Sequence, residues 1–164
     1  MSAVSLDDLY RQVIMDHYQH PRNRGHLEDA SVAVALHNPS CGDELLLELA
    51  VKDGRVQEAR FTGRGCSISM ASASMLTEAV RGKPVAEALK MAENFRQMLQ
   101  GGPAPENLGD LASLQGVVKF PMRIKCALLA WDALEKGLSQ AGEKACPARN
   151  EVQNEENDGR PGSK

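Results

Sequence analysis

The sequence predicts an α+β domain in which a small three-stranded antiparallel sheet has helices packed on one face. Three consecutive segments within residues 31–63 alternate apolar and polar side chains, the pattern of half-buried strands. Short connections join them, including an Asp53-Gly54 pair that is typical of a β-hairpin. Apolar residues recur at helical spacing before and after these segments, so strands and helices are segregated along the chain.

The N-terminal third is predicted to contain one helix and the whole sheet. The helix runs from Ser5 to about His20, with Ser5 as N-cap and two aspartates in the first turn, where negative charge suits the helix dipole. A proline follows and ends it. The strand order indicates an antiparallel meander. Its strands are expected over residues 31–38, 44–51 and 55–63.

Helical patterns fill the rest of the domain. One helix is expected to begin near Cys66, after two glycines, and to end at Gly82. Pro84 is suited to the first turn of the next helix, which continues to about Leu99. The remaining elements are a loop over residues 101–110, a short weak helix or coil over 110–117, and a strong helix over 121–137.

The composition changes from about Gln140 onward, where polar and charged residues dominate. Such a segment cannot bury enough apolar area to offset the entropy of ordering. We therefore predict one domain over residues 1–139 and a disordered tail over residues 140–164.

Composition excludes several classes of function. Aromatic residues make up 4% of the 164 residues and the net charge is −3, which argues against nucleic-acid binding. No apolar run approaches the roughly 18 residues of a membrane span, and the N-terminus lacks the pattern of a secretory signal. A cytoplasmic location is therefore expected, with cysteines that are free, metal-bound or reactive rather than disulfide-bonded.

Three of the four cysteines fall at the ends of predicted elements. Cys41 lies in the turn between two strands, Cys66 at the start of a helix, and Cys126 in the first turns of the last helix. Asp43 follows Cys41 by two residues, so in extended chain both side chains point to the same face. Three thiolates and a carboxylate form a suitable ligand set for tetrahedral Zn²⁺.

Each of these residues also has an ordinary structural interpretation. A free cysteine is commonly a small buried hydrophobic residue, and an aspartate after glycine is commonly a turn residue. The spacing is not that of paired CxxC zinc motifs. Cys146 is expected to be an exposed thiol of the tail. Surface or core positions are expected for the histidines, which are His17, His20, His26 and His37.

Three motifs resemble the IscU/SufU family of iron–sulfur assembly proteins. They read NPSCGD, GRGCSISMASASM and KFPMRIKCALLAW, and the resemblance spans roughly residues 5–139 in order. The scaffold branch of that family typically has histidine immediately before its third cysteine. Here this residue is Lys125, within an Arg-Ile-Lys-Cys segment preceded by an extra stretch, which is similar to the SufU branch.

The resemblance implies a zinc-dependent sulfurtransferase that activates a pyridoxal-phosphate cysteine desulfurase of the SufS type. It implies downstream SUF cluster-assembly proteins as further partners. Cys41 would accept the persulfide sulfur, and Arg123, on the same helix face as Cys126, is expected to stabilise a sulfur anion or to form an exposed salt bridge. The implied zinc ligands are Cys41, Asp43, Cys66 and Cys126.

Two other functions remain open. The same residues can hold a transient [2Fe–2S] cluster in a scaffold protein, although Lys125 in place of histidine argues against it. Alternatively, zinc has a purely structural role and the domain is a docking adaptor; the position of Cys41 on a turn argues against such a closed site.

Overall fold

The structure is a computed structural model that describes residues 6–105 and 108–144. Ser5 and Cys146 lie outside these residues, as does most of the predicted tail, so the division at residue 139 stays a prediction. In chain order the elements are α1 (Leu6–Gln19), β1 (Val32–Asn38), β2 (Asp43–Lys52), β3 (Arg55–Arg64), α2 (Ser67–Val80), α3 (Val85–Leu99), a 3₁₀ helix (Gly109–Lys119) and α4 (Pro121–Lys144).

The sheet confirms the predicted meander. The strand order is β1-β2-β3, and both neighbouring pairs are antiparallel. Asp53 and Gly54 connect β2 to β3 with φ values of 55° and 74°. Positive φ at both positions is the requirement of a type I′ hairpin turn, which explains the Asp-Gly pair. Alternate side chains of the strands are buried, so one face of the sheet carries the core.

Helices α2 and α4 form the centre of the core. Most of α2 is buried, and its small alanine and serine side chains let α4 approach closely. Ser72 donates to the main-chain oxygen of Ala127 at 2.7 Å and accepts from Trp131 Nε1 at 3.1 Å. Trp131 also stacks on Phe95 of α3, with ring centroids 4.8 Å apart. Among the helices of the described residues, none has the length and apolar character required to cross a membrane.

Helix α4 continues to Lys144, beyond its predicted end at Gly137. The sequence predicts that the helix ends at Gly137, but this glycine lies inside the helix and faces the sheet. A Cβ at this position would be 3.1 Å from side-chain atoms of Leu49 and Val32. The glycine therefore permits close helix–sheet packing, and the next residue, Leu138, is again part of the core.

The segment before α4 is more regular than predicted, since it forms an 11-residue 3₁₀ helix. A buried histidine connects it to the rest of the domain. His17 of α1 lies 2.8 Å from Ser74 Oγ of α2 through Nδ1, and 3.0 Å from Asp110 Oδ2 through Nε2. These bonds fix the 3₁₀ helix against two helices, and the 3₁₀ helix in turn leads directly into the first turn of α4.

Candidate metal centre

A tight turn between β1 and β2 presents Cys41. The main-chain oxygen of Asn38 accepts hydrogen bonds from the main-chain N–H groups of Cys41, at 3.2 Å, and Gly42, at 2.9 Å. Gly42 has a φ of 72°, a left-handed conformation that favours glycine. The Cys41 side chain is half-buried. It is therefore held by a turn, yet it remains accessible from solvent.

Asp43 is the first residue of β2 and is fully buried. Its Oδ1 accepts a hydrogen bond from the main-chain N–H of Cys66 at 2.9 Å. Its Oδ2 is buried and has no hydrogen-bond partner. A buried carboxylate oxygen without a partner is costly unless it is paired or binds a metal. Oδ2 is therefore available to bind a metal ion.

Cys126 brings the third ligand atom from the second turn of α4. Its Sγ lies 3.0 Å from Cys41 Sγ, and the ligand atoms of Cys41, Asp43 and Cys126 all lie within 4.8 Å of one another. Burial raises the pKa of the Cys126 thiol above its usual range, and its interactions with Cys41 and Asp43 raise it further. Without a cation to stabilise a thiolate, this sulfur keeps its proton.

Cys66 is the N-cap residue of α2 and is half-buried. It is not one of the three converging groups; its Sγ lies 3.8 Å from Ser69 Oγ. It is nevertheless close enough to Cys126 that the electrostatic interaction between the two sulfurs contributes to the raised pKa of the Cys126 thiol. The structure therefore brings three of the four predicted ligands together and leaves the fourth thiol beside them.

Arg123 lies on the first turn of α4 beside two of the sulfurs. The electrostatic interaction with the Cys66 sulfur is the main cause of the raised pKa of Arg123, and hydrogen bonds with Cys126 and Cys66 contribute. Within residues 6–105 and 108–144, Arg123 forms no ion pair with a carboxylate. Its cation thus faces sulfur atoms rather than a carboxylate.

Sequence reasoning missed one residue of this centre. Asn38 is buried, and its Nδ2 lies 3.7 Å from Cys126 Sγ. The only signal in the sequence was that it belongs to a cysteine motif. The glycines before Cys66 are expected from the sequence to permit close approach of the backbone, and Gly65 does lie against Asp43 and Ser69. None of the four histidines is among the converging groups, and Lys125 is exposed.

Comparisons with known proteins agree with the motifs. Residues 9–146 match the family model described as NifU-like N terminal domain. The chain is 54% identical to the zinc-dependent sulfurtransferase SufU of Bacillus subtilis, covering 83% of this chain and 93% of the relative. It is 43% identical to the iron–sulfur cluster assembly scaffold protein IscU of Streptococcus pyogenes, covering 86% and 89%.

Solved structures show the same fold. A SUF-system scaffold protein for iron–sulfur cluster assembly, from Fervidobacterium islandicum, superposes with a TM-score of 0.74 at 36% identity, over 77% of this chain and 94% of that one. The N-terminal domain of a NifU-like protein from Brucella abortus gives a TM-score of 0.78 at 26% identity, over 85% and 99%. The predicted sheet with helices is thereby confirmed.

Proposed function

From the premise that the chain belongs to the family of NifU-like N-terminal domains, we propose that it is a zinc-dependent sulfurtransferase. It accepts persulfide sulfur from a cysteine desulfurase for iron–sulfur cluster assembly. One observation carries this proposal: a carboxylate oxygen of Asp43 lies within 4.8 Å of the Cys41 and Cys126 sulfurs. That carboxylate is fully buried, and its Oδ2 has no hydrogen-bond partner.

The zinc ligands in this proposal are Cys41, Asp43, Cys126 and, as the fourth, Cys66. The sulfurs of Cys41 and Cys126 and a carboxylate oxygen of Asp43 lie within 4.8 Å of one another. The main-chain N–H of Cys66 donates a hydrogen bond to Asp43. Three thiolates with one carboxylate are a donor set that zinc accepts. When bound, zinc supplies the positive charge that keeps these thiols deprotonated at neutral pH.

Cys41 is the proposed sulfur acceptor. Its thiolate attacks the outer sulfur of the persulfide on the desulfurase; a new S–S bond forms, the old one breaks, and the desulfurase cysteine leaves as a thiolate. Cys41 suits this role better than Cys126, because it is half-buried on a turn whereas Cys126 is buried within a helix. A reactive sulfur has to be reached by the partner.

Arg123 is proposed to stabilise sulfur anions during transfer. Its guanidinium already faces the sulfurs of Cys66 and Cys126. A guanidinium remains protonated at any pH relevant to the reaction, so it offers a permanent positive charge beside developing thiolates.

The proposed partner is a pyridoxal-phosphate cysteine desulfurase of the SufS type, with SUF cluster-assembly proteins as recipients of the sulfur. Phe120 and Met122 flank the site with exposed fractions of 60% and 68%. Large exposed apolar side chains next to a reactive group are typical of an interaction surface. We place this reaction in the cytoplasm, where thiols stay reduced.

Desulfurase turnover tests the proposal most directly. The rate of alanine formation from cysteine is measured with and without this protein, zinc is quantified in the protein, and mass spectrometry follows a 32-Da addition to its cysteines. We expect stimulation, about one zinc per chain, and persulfide on Cys41. Cys146→Ala is the matched control, in which zinc content and sulfur transfer are expected to be unchanged.

A transient [2Fe–2S] scaffold is the second candidate, because IscU scaffold proteins are among the relatives. The colour and metal content of aerobically purified protein distinguish the two. Colourless protein with zinc supports the sulfurtransferase, whereas brown protein with iron and sulfide supports the scaffold. A structural zinc adaptor would be colourless as well, but Cys41 would never carry a persulfide.

A further inference from the structure

Asn38 forms polar contacts with both the Cys41 turn and the Cys126 sulfur. It is the last residue of β1, pairs with Asp43 across the sheet, and is 7% exposed. Its side-chain Nδ2 donates to Cys126 Sγ at 3.7 Å, and its Oδ1 accepts from the main-chain N–H of Ser40 at 3.3 Å. Its main-chain oxygen accepts the two hydrogen bonds that close the Cys41 turn.

We propose that Asn38 is a positioning residue that fixes the Cys41 turn relative to the Cys126 sulfur. The inference rests on the proposed function, since it assigns the residue a role toward the zinc ligands. Asn38 thereby keeps the Cys41 and Cys126 thiols, which come from distant segments, next to each other. The carboxylate of Asp43, from the neighbouring strand, is the third group of the cluster.

The two polar atoms of the Asn38 side chain have different roles. Oδ1 stabilises the turn by accepting a hydrogen bond from Ser40, as asparagine and aspartate side chains both do. Nδ2 is an N–H donor aimed at sulfur, which only the amide provides. A donor to a sulfur ligand fixes its orientation and disperses its negative charge, so it favours the thiolate that the metal needs.

This division explains why the turn carries asparagine rather than aspartate. An aspartate would keep the hydrogen bond to Ser40 but would place a carboxylate oxygen against the Cys126 sulfur. Two negative groups in a buried position repel each other. Turn formation alone does not require the amide, whereas contact with a thiolate does.

Two variants separate these contributions. Asn38→Asp keeps the size of the side chain and the acceptor for Ser40 but removes the donor to sulfur. Asn38→Leu removes both. Thr77→Val is the matched control, because Thr77 is also buried and bonds to the main-chain oxygens of Ser74 and Arg22, away from the sulfur ligands.

Zinc affinity is measured by competition with a chromogenic chelator, and the sulfur-to-metal charge-transfer absorption is recorded after substitution with Co²⁺. Loss of a residue that orients a ligand typically lowers metal affinity about 10- to 100-fold. We expect a loss of this size in Asn38→Asp, with a shifted Co²⁺ band, and a loss at least as large in Asn38→Leu. Thr77→Val is expected to lower the melting temperature while keeping parental affinity and spectrum.

Parental affinity and an unshifted Co²⁺ band in Asn38→Asp would overturn the inference. This variant decides the matter even when Asn38→Leu does not fold, because it retains the turn and the volume. A different result, the absence of zinc binding by the unmodified protein, would contradict the proposed function. A protein that binds zinc but is indifferent to the loss of the amide donor contradicts only the role of Asn38.

Discussion

Gly65 lies directly against Asp43. A Cβ at Gly65 would overlap Asp43 Oδ1, would be 3.0 Å from Asp43 Cβ, and would be 2.7 Å from Ser69 Oγ. The glycine before Cys66 is therefore required because the carboxylate occupies the space that a side chain would fill. The same close approach lets the main-chain N–H of Cys66 reach Oδ1, whereas Oδ2 has no hydrogen-bond partner.

Gly65→Ala is expected to displace Asp43 and to weaken zinc binding about 10-fold or more, because the added methyl group cannot be accommodated beside the buried carboxylate. Chelator competition measures the affinity. Gly116→Ala is the control, since a Cβ there meets no atom within 4 Å. Parental zinc affinity in Gly65→Ala would show that the position of Asp43 does not matter to the site.

The fold was predictable because its signals are local. Alternation along β1, β2 and β3, the Asp53-Gly54 turn and the helical spacing of α1 to α3 each depend on near neighbours in sequence. The end of α4 was not predictable in this way. Gly137 is a helix terminator by local preference, and only its contact with Leu49 and Val32 explains why the helix continues through it.

The site was predictable in its residues but not in its geometry. Motif resemblance identified Cys41, Asp43 and Cys126, which the fold brings together. Asn38 contacts Cys126, which is 88 positions away in the sequence, and Gly65 contacts Asp43, which is 22 positions away. These segments meet only in the folded domain. Spacing along the chain carries no information about such contacts.

Cys41→Ala and Cys126→Ala are expected to fail in different ways. Cys41→Ala removes the accessible acceptor, so persulfide labelling is lost while the remaining groups retain weaker zinc binding. Cys126→Ala removes the sulfur that α4 contributes, so zinc is lost and the melting temperature falls because three distant segments are no longer tied together. Metal analysis, thermal melting and persulfide labelling of both variants provide the measurement.

Asp43→Ala is the intermediate variant, since three thiolates can hold zinc with water in the fourth position. It is expected to retain zinc but to release it faster to a chelator. Persulfide on Cys66 or Cys126 of the unmodified protein, with none on Cys41, would contradict the assignment of the acceptor.

The zinc-free protein is expected to lose stability at alkaline pH through Cys126. Burial raises the pKa of this thiol above its ordinary value of 9.0, which it regains on unfolding. Above about pH 9 the unfolded chain has lost a proton that the native state keeps, so the free energy of unfolding falls by up to about 1.4 kcal/mol per pH unit. Below pH 9 both states are protonated and this dependence disappears.

Urea unfolding of chelated protein between pH 7 and pH 10 measures this effect. Other groups also titrate in this range, so the informative quantity is the difference between the parent and Cys126→Ser, which cannot lose the proton. Parallel pH profiles of the two proteins would mean that Cys126 retains an ordinary pKa in the folded domain.

The apolar residues beside the site are expected to act in partner binding rather than in metal binding. Phe120→Ser and Met122→Ser change exposed side chains, so zinc content and melting temperature should stay near parental values. The concentration needed for half-maximal desulfurase stimulation should rise about tenfold, as expected when an interface anchor worth more than 1 kcal/mol is lost.

Leu89→Ser on α3, with an exposed fraction of 38%, is the control, since α3 contributes none of the site residues. Unchanged stimulation in both site variants, or an equal loss in Leu89→Ser, would place the docking surface elsewhere.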